Sequence, residues 1–175
     1  FSVRNVAGGY MFDTTGSMGF VSPDCDQLGI VAYLNSVVAT EYMKVLSPAI
    51  RFQPGHALNL PFDKRPVSTA RDIASECIVI SQSDWDAYET SWDFACLPLL
   101  SSKYLQTTLT STYEELRVCW YEMTREMQRL EEENNRIFIN AYGLMDELTP
   151  EVPLSEITLT CNPHYRYGGE KSEQE

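Results

Sequence analysis

Arg51, Lys64, Arg65 and Arg71 are the side chains whose type and spacing best suit a chemical task. Across residues 50–71 only Asp63 opposes them, a local balance of +3. Loops that carry Lys-Arg can clamp phosphates and set the register of a protein on a nucleic acid without reading its sequence. Thr14 and Thr15, in the turn Thr14-Thr15-Gly16-Ser17, add hydroxyls able to reach phosphate or base edges. Plain surface solubility explains the same residues, and the charge pattern alone leaves both readings open. On the nucleic-acid reading, the four cations neutralise about three or four phosphates. The logarithm of the binding constant then falls with log salt at a slope of about −3.

Other chemistry is weaker. His56 and His164 are the only histidines and lie far apart with no third ligand in view, so they read as satisfied or exposed side chains, not a metal site. Asp84, Asp86, Glu89 and Asp93 crowd one stretch, but their spacing is loose for a cation. The five cysteines are dispersed without a CxxC pair, which fits a reduced cytoplasm and gives neither a disulfide framework nor zinc. Trp85 and Trp92 could stack on bases. Set among carboxylates, they read instead as anchors of a junction between the two halves of the chain. No metal and no cofactor is expected in this chain.

Those halves differ in charge. The 175 residues carry a net charge of −12. Residues 1–83 hold six Lys/Arg against seven Asp/Glu, whereas residues 84–175 hold seven against eighteen. Phosphates repel the second half and tolerate the first. The acidic half suits solvent or a basic protein partner. No apolar run approaches the about 18 residues a membrane span needs, so no membrane partner is expected.

The elements that must position these residues are mostly helical. The stretch from Gly8 to Val21 reads as strand, turn and strand, and Ile50–Gln53 as a short strand before a Pro54-Gly55 turn. Ser22-Pro23 reads as a helix start, with a helix to about Leu34; Asn35-Ser36 breaks it, and a second helix runs from about Val37 to Leu46. Pro61–Ser68 is a loop, followed by a helix from about Thr69 to Ile80 that buries Ile73, Cys77 and Ile80. Ser81-x-x-Asp84 and Ser83-x-x-Asp86 both look like capping signals. From about 106 to 143 a single long helix is expected. Tyr113, Leu116, Trp120, Met123, Met127, Leu130, Asn134, Ile137, Ala141 and Leu144 recur at alternating steps of three and four, and Gly143 suits the left-handed stop. Asn134, the polar member of this seam, reads as a register-setting residue. The fold class is therefore α+β, mainly helical, with a small strand-containing N-terminal part followed by a helical domain.

Four blocks carry a family resemblance. Residues 81–94, SQSDWDAYETSWDF, resemble the "SRSDWDxxETSWDF" block near the C-terminus of the adenine-specific DNA methyltransferases of bacterial BREX phage-defence systems, the PglX family. Tyr33-Leu-Asn-Ser36, Leu46-Ser-Pro48, Phe52-Gln-Pro-Gly55 and Leu60-Pro61 are similar to that family's "LNS…LxPTxxFQxGDIxxLP" block. Ala49 stands where Thr is expected, and His56-Ala57 where Asp-Ile is. A third block contains Arg136-Ile-Phe-Ile139, Tyr142-Gly143, Asp146-Glu-Leu-Thr-Pro150 and Val152-Pro153; a fourth contains Glu156-Ile-Thr-Leu159, Cys161-Asn-Pro163 and Tyr165-Arg-Tyr-Gly168.

The resemblance implies a C-terminal fragment of a larger enzyme that takes its methyl group from S-adenosylmethionine and acts on double-stranded DNA. It implies the end of a target-recognition region over residues 1–65 and a helical C-terminal domain over 66–168, while the polar, acidic composition of 169–175 reads as a disordered tail. Other defence-system proteins are further expected partners. The adenine methyltransferase catalytic loop, [DNS]PP[YFW], is approached only by Asn162-Pro-His-Tyr165, where His164 replaces the second Pro. The glycine-rich methyl-donor loop has no counterpart in the sequence, so Asn162 reads as part of a structural turn pinned by Tyr165 and Tyr167.

Overall fold

The computed structural model describes residues 1–6, 8–13, 16–47 and 54–168. Its helices are α1 (Gln27–Leu34), α2 (Val37–Leu46), α3 (Pro54–Leu58), α4 (Val67–Trp85), α5 (Leu109–Tyr142) and α6 (Pro163–Tyr167), with short 3₁₀ turns at Pro98–Leu100 and Leu154–Glu156.

The α+β expectation is overturned: among the described residues there is no strand. The chain does double back in its first segment, where the rings of Phe12 and Phe20 meet edge-on at 5.8 Å and the Gly16 N–H donates to the Asp13 carboxylate at 3.1 Å. Among the described residues on either side no ladder forms. Met11 is 97% exposed and Phe20 78%, so the two apolar runs have no core face to cover, and an isolated pair of strands is marginal in water. The expected strand at Ile50–Gln53 lies outside the described residues. Pro54, read as part of a turn, opens α3, where its fixed φ suits the first helical position.

Capping chemistry explains several helix ends. α1 starts later than Ser22-Pro23 suggests, because the Asp26 carboxylate accepts the Leu28 and Gly29 N–H groups at 3.1 and 3.3 Å. Ser36 separates α1 from α2: its hydroxyl donates to the Tyr33 carbonyl at 2.7 Å and accepts the Ala39 N–H at 3.3 Å. α5 opens with a reciprocal box in which the Thr108 hydroxyl accepts the Ser111 N–H and the Ser111 hydroxyl accepts the Thr108 N–H. It runs unbroken for 34 residues, about 50 Å at 1.5 Å per residue. At its end Gly143 takes φ +70, and the Leu144 N–H donates back to the Ile139 carbonyl at 3.0 Å, the Schellman arrangement.

The expected seam of α5 is largely covered. Leu116, Met127, Leu130 and Asn134 are buried, Trp120, Met123, Ile137 and Ala141 are half-buried, and only Tyr113 at its start is exposed. Thr124, Asn135, Phe138 and Ile139 are buried too, so the covered stripe is wider than a two-position coiled-coil seam.

Two compact units make up the chain. The first comprises Phe1–Ser75 and Glu132–Glu151, the second Glu76–Glu131 and Val152–Glu175. In the first, Tyr33, Val38, Ala39, Met43, Ala70, Ala74, Phe138 and Ile139 form the core. Each large side chain buried there stabilises by about 1.5–3 kcal/mol. In the second, Met127, Val152, Ile157 and Leu159 are buried, with Cys77, Ile80, Met123 and Cys161 packed on them. Burial pushes the Cys77 thiol up to about 12, with Glu131 adding to the effect. Burial, then the Asp84 charge, does the same for Cys161. Both therefore behave as inert packing thiols.

Glu131 gives the second unit a pH signature. Burial, reinforced by the facing Glu156, lifts its carboxyl from 4.5 to about 7. The folded state thus holds a proton that the unfolded chain releases near pH 4.5, and stability falls as pH rises from there to about 7. Glu131→Gln should stabilise the protein by about 1–2 kcal/mol at pH 8, below the full shift because the side chain is only half-buried, and by almost nothing at pH 4. Thermal melts of both proteins across that range check the crossover; a pH-independent difference would refute it.

Candidate nucleic-acid interface

The loop from Pro61 to Pro66, between α3 and α4, carries Lys64 and Arg65 and is held from below by two tyrosines. The Pro61 carbonyl accepts the Tyr33 hydroxyl at 2.7 Å and the Tyr142 hydroxyl at 2.5 Å. Tyr142 oxygen in turn accepts the Asp63 N–H at 3.0 Å. The Tyr33 ring packs edge-on to Phe62 at 5.4 Å and stacks on Tyr142 at 5.8 Å. Burial, together with the Tyr142 hydroxyl beside it, raises the Tyr33 phenol above its ordinary value, so it remains a donor throughout the working pH range. Leu60, Pro66 and Val67 are buried at the ends of the loop. A loop tied at both ends and at its middle presents its tip in one geometry.

That tip lines a shallow groove of about 430 Å³ formed by Pro61, Phe62, Asp63, Lys64, Arg65 and Tyr142. Its two cations differ. Arg65 is gripped by Asp63: Nε lies 3.1 and 2.9 Å from the two carboxylate oxygens, and Nη2 lies 2.6 Å from Oδ2. The Asp63 oxygen Oδ1 also accepts the backbone N–H of Arg65 at 2.9 Å. These bonds, the side chain foremost, hold the Asp63 carboxyl below its ordinary range. Lys64 is exposed and forms no ion pair among the described residues. Arg71, on α4, leans on Asp26 at 3.4 Å. The structure thus places Lys64 and Arg65 side by side and ties Arg71 to the cap of α1; Arg51, Thr14 and Thr15 lie outside the described residues. The tyrosine supports are invisible to a scan for charge, although Tyr33 and Tyr142 both lie within the family-like blocks.

The other candidates turn out to be structural. α4 runs straight through Ser81 and Ser83 to Trp85, so neither capping signal starts a helix. Asp84 instead accepts the Thr160 and Cys161 N–H groups at 2.6 and 2.9 Å, and Asp86 accepts the Ser91 hydroxyl at 2.6 Å. Asn162 is fully buried. Its amide donates to the Leu154 and Ile157 carbonyls at 2.7 and 2.8 Å, and its oxygen caps α6 through the His164 N–H at 3.1 Å. Both ends of the amide are engaged inside the turn. Asn162, not the exposed Tyr165 and Tyr167, pins that turn. Trp85 is 55% exposed and Trp92 92%. Among the described residues no group of three or more His, Cys, Asp or Glu side chains is arranged to hold a metal, and no helix is long and apolar enough to cross a membrane.

With this geometry in place, relatives supply the class. The chain is homologous to adenine-specific methyltransferases, as its four blocks suggested. It is 32% identical over 154 residues to the adenine-specific methyltransferase PglX of Lacticaseibacillus casei (strain Zhang), covering 86% of this chain and 13% of that protein. It is 30% identical over 171 residues to the adenine-specific methyltransferase BrxX of Escherichia coli O9:H4 (strain HS), covering 96% of this chain and 14% of that protein. The chain therefore spans 13% and 14% of the lengths of these two relatives. No protein-family model matches it.

Proposed function

We propose that this chain is the non-catalytic C-terminal part of a site-specific DNA adenine-N6 methyltransferase of a BREX phage-defence system, acting in the cytoplasm. Residues 1–65 close its target-recognition region, 66–168 form its helical C-terminal domain, and 169–175 are an acidic tail. The observation that carries this reading is the Lys64–Arg65 loop, held rigid by Tyr33 and Tyr142 and turned outward. S-adenosylmethionine would be the methyl donor of the whole enzyme. The residues present here do not fit that cofactor, since no glycine-rich cradle exists in the sequence.

Charge decides how the contact should behave. Asp63 and Asp26 accompany Arg65 and Arg71, so Lys64 brings the loop's unpaired charge. In the intact enzyme, Lys64→Ala should make the plot of log affinity for duplex DNA against log salt shallower by about one. An unchanged slope would move the DNA surface away from this loop.

A second reading applies to residues 84–175. Trp85, Trp92, Leu97, Leu100, Leu105 and Leu109 are all exposed there, in a stretch dominated by acidic residues. That combination suits docking to a basic surface of the same enzyme or of a defence-system partner. If the salt titration detects no contribution from the first half, docking becomes the leading function of the whole chain.

A further inference from the structure

We infer that Arg65 is a base-reading residue that takes the major-groove edge of a guanine, while its neighbour Lys64 holds a phosphate. The inference rests on the DNA reading of the loop.

A guanidinium offers two forks: the side fork of Nε and Nη2, and the end fork of Nη1 and Nη2. Asp63 fills the side fork of Arg65 through contacts of 2.6 to 3.1 Å. The same carboxylate is tied to the Arg65 backbone N–H. The Asp63 backbone N–H is in turn tied to Tyr142, whose hydroxyl is fixed on Pro61. Arg65 is thus braced through a chain of hydrogen bonds to the helices, yet its side chain is 85% exposed. Its end fork has no protein partner among the described residues and points its donors outward from a fixed base.

Charge then selects the ligand. A phosphate approaching the end fork meets the Asp63 carboxylate across the same guanidinium, and the Asp63–Arg65 pair is neutral overall. Most of the Coulomb reward for binding an anion is cancelled. A guanine edge is itself neutral and presents two acceptors, O6 and N7, that match a two-donor fork. It loses nothing to the carboxylate and gains from a guanidinium whose rotamers are already restricted. Lys64 is the converse, a point charge on a flexible stem with no carboxylate partner among the described residues, suited to a phosphate. Two adjacent residues of equal formal charge therefore do different work.

The test uses the intact enzyme and a duplex library randomised over its target, with binding read at several salt concentrations. Arg65→Ala should reduce discrimination for guanine at one position by about 10- to 100-fold, and the paired variant Asp63→Ala/Arg65→Ala, which leaves no bare carboxylate, should do the same with the salt slope unchanged. Arg65→Lys keeps the charge but lacks the fork, and should lose the same discrimination. Lys64→Ala should weaken all sequences alike and make the slope shallower by about one. Asp63→Ala, which frees Arg65 to meet a phosphate, should steepen the slope while blurring that position. If Arg65→Ala and the paired variant instead weaken every sequence equally, and the paired variant flattens the slope, Arg65 is a phosphate contact and the inference is overturned with the DNA reading intact. If neither Arg65→Ala nor Lys64→Ala alters DNA binding, the DNA reading of the loop fails, and the inference with it.

Discussion

Asp84→Ala should destabilise the second unit by about 3 kcal/mol. Asp84 is 6% exposed and accepts two backbone N–H groups, from Thr160 and Cys161, at 2.6 and 2.9 Å. A hydrogen bond to a charged acceptor is worth about 1.5–3 kcal/mol, and alanine leaves two donors stranded beside the core. Relief of the cost of holding a carboxylate out of water offsets part of that loss. Asp84→Asn keeps one acceptor oxygen but sets its NH2 against the other backbone N–H, and should cost about as much. Urea denaturation gives the energy, and amide exchange locates it: protection at Thr160 and Cys161 should drop before the rest of the unit changes. A loss below about 1 kcal/mol with both amides still protected would mean that Asp84 is incidental. The Cys161 thiol, which the Asp84 charge helps to raise, should also ionise at a lower pH in the alanine variant.

The second large effect concerns Asn135 in the first unit. Its side-chain oxygen accepts the N–H of Val37, the first residue of α2, at 2.8 Å, and its amide donates to the Pro150 carbonyl at 3.2 Å. A helix start has N–H groups that its own turns cannot satisfy, and here the partner comes from α5. Asn135→Leu removes both bonds and should cost about 2–4 kcal/mol. Asn134 provides the control. It donates to the Ala32 carbonyl near the end of α1 at 2.9 Å, but its own buried oxygen has no partner among the described residues. Asn134→Leu loses one bond and relieves one unsatisfied atom, so about 1 kcal/mol is expected. Denaturant midpoints of the two variants decide the matter; the reverse ranking would show that the seam position dominates over the capping bonds.

Asn134 and Asn135 also show where local pattern stops being informative. The three-four repeat correctly singled out Asn134 as a polar member of a covered stripe. Its task, closing the junction between α1 and α2, depends on a carbonyl 102 positions away. Asn135, one place off the seam, carried no signal at all. The strand expectation failed for a related reason: alternation near Tyr10 and Phe20 describes side chains that would suit a sheet, but nothing in the described fold covers them. The candidate site was half legible. Lys64 and Arg65 stand out as charges in sequence, whereas the difference between them comes from Asp63 and the tyrosine supports.

What the sequence by itself determined is what one or two turns of chain can settle. The span of α2, the unbroken run of α5 and its stop at Gly143 follow from caps, periodicity and one left-handed residue, all within hydrogen-bonding reach of their neighbours. The four blocks likewise identified the relatives without any coordinates. Only the tertiary structure decided the rest. Ser81-x-x-Asp84 looks like a helix start, yet Asp84 serves a backbone 76 and 77 positions away. The Lys64–Arg65 loop is shaped by tyrosine hydroxyls from Tyr33 and Tyr142, 28 and 81 positions from the carbonyl they share. A buried polar group must find a partner wherever the fold brings one, and that choice is made by packing.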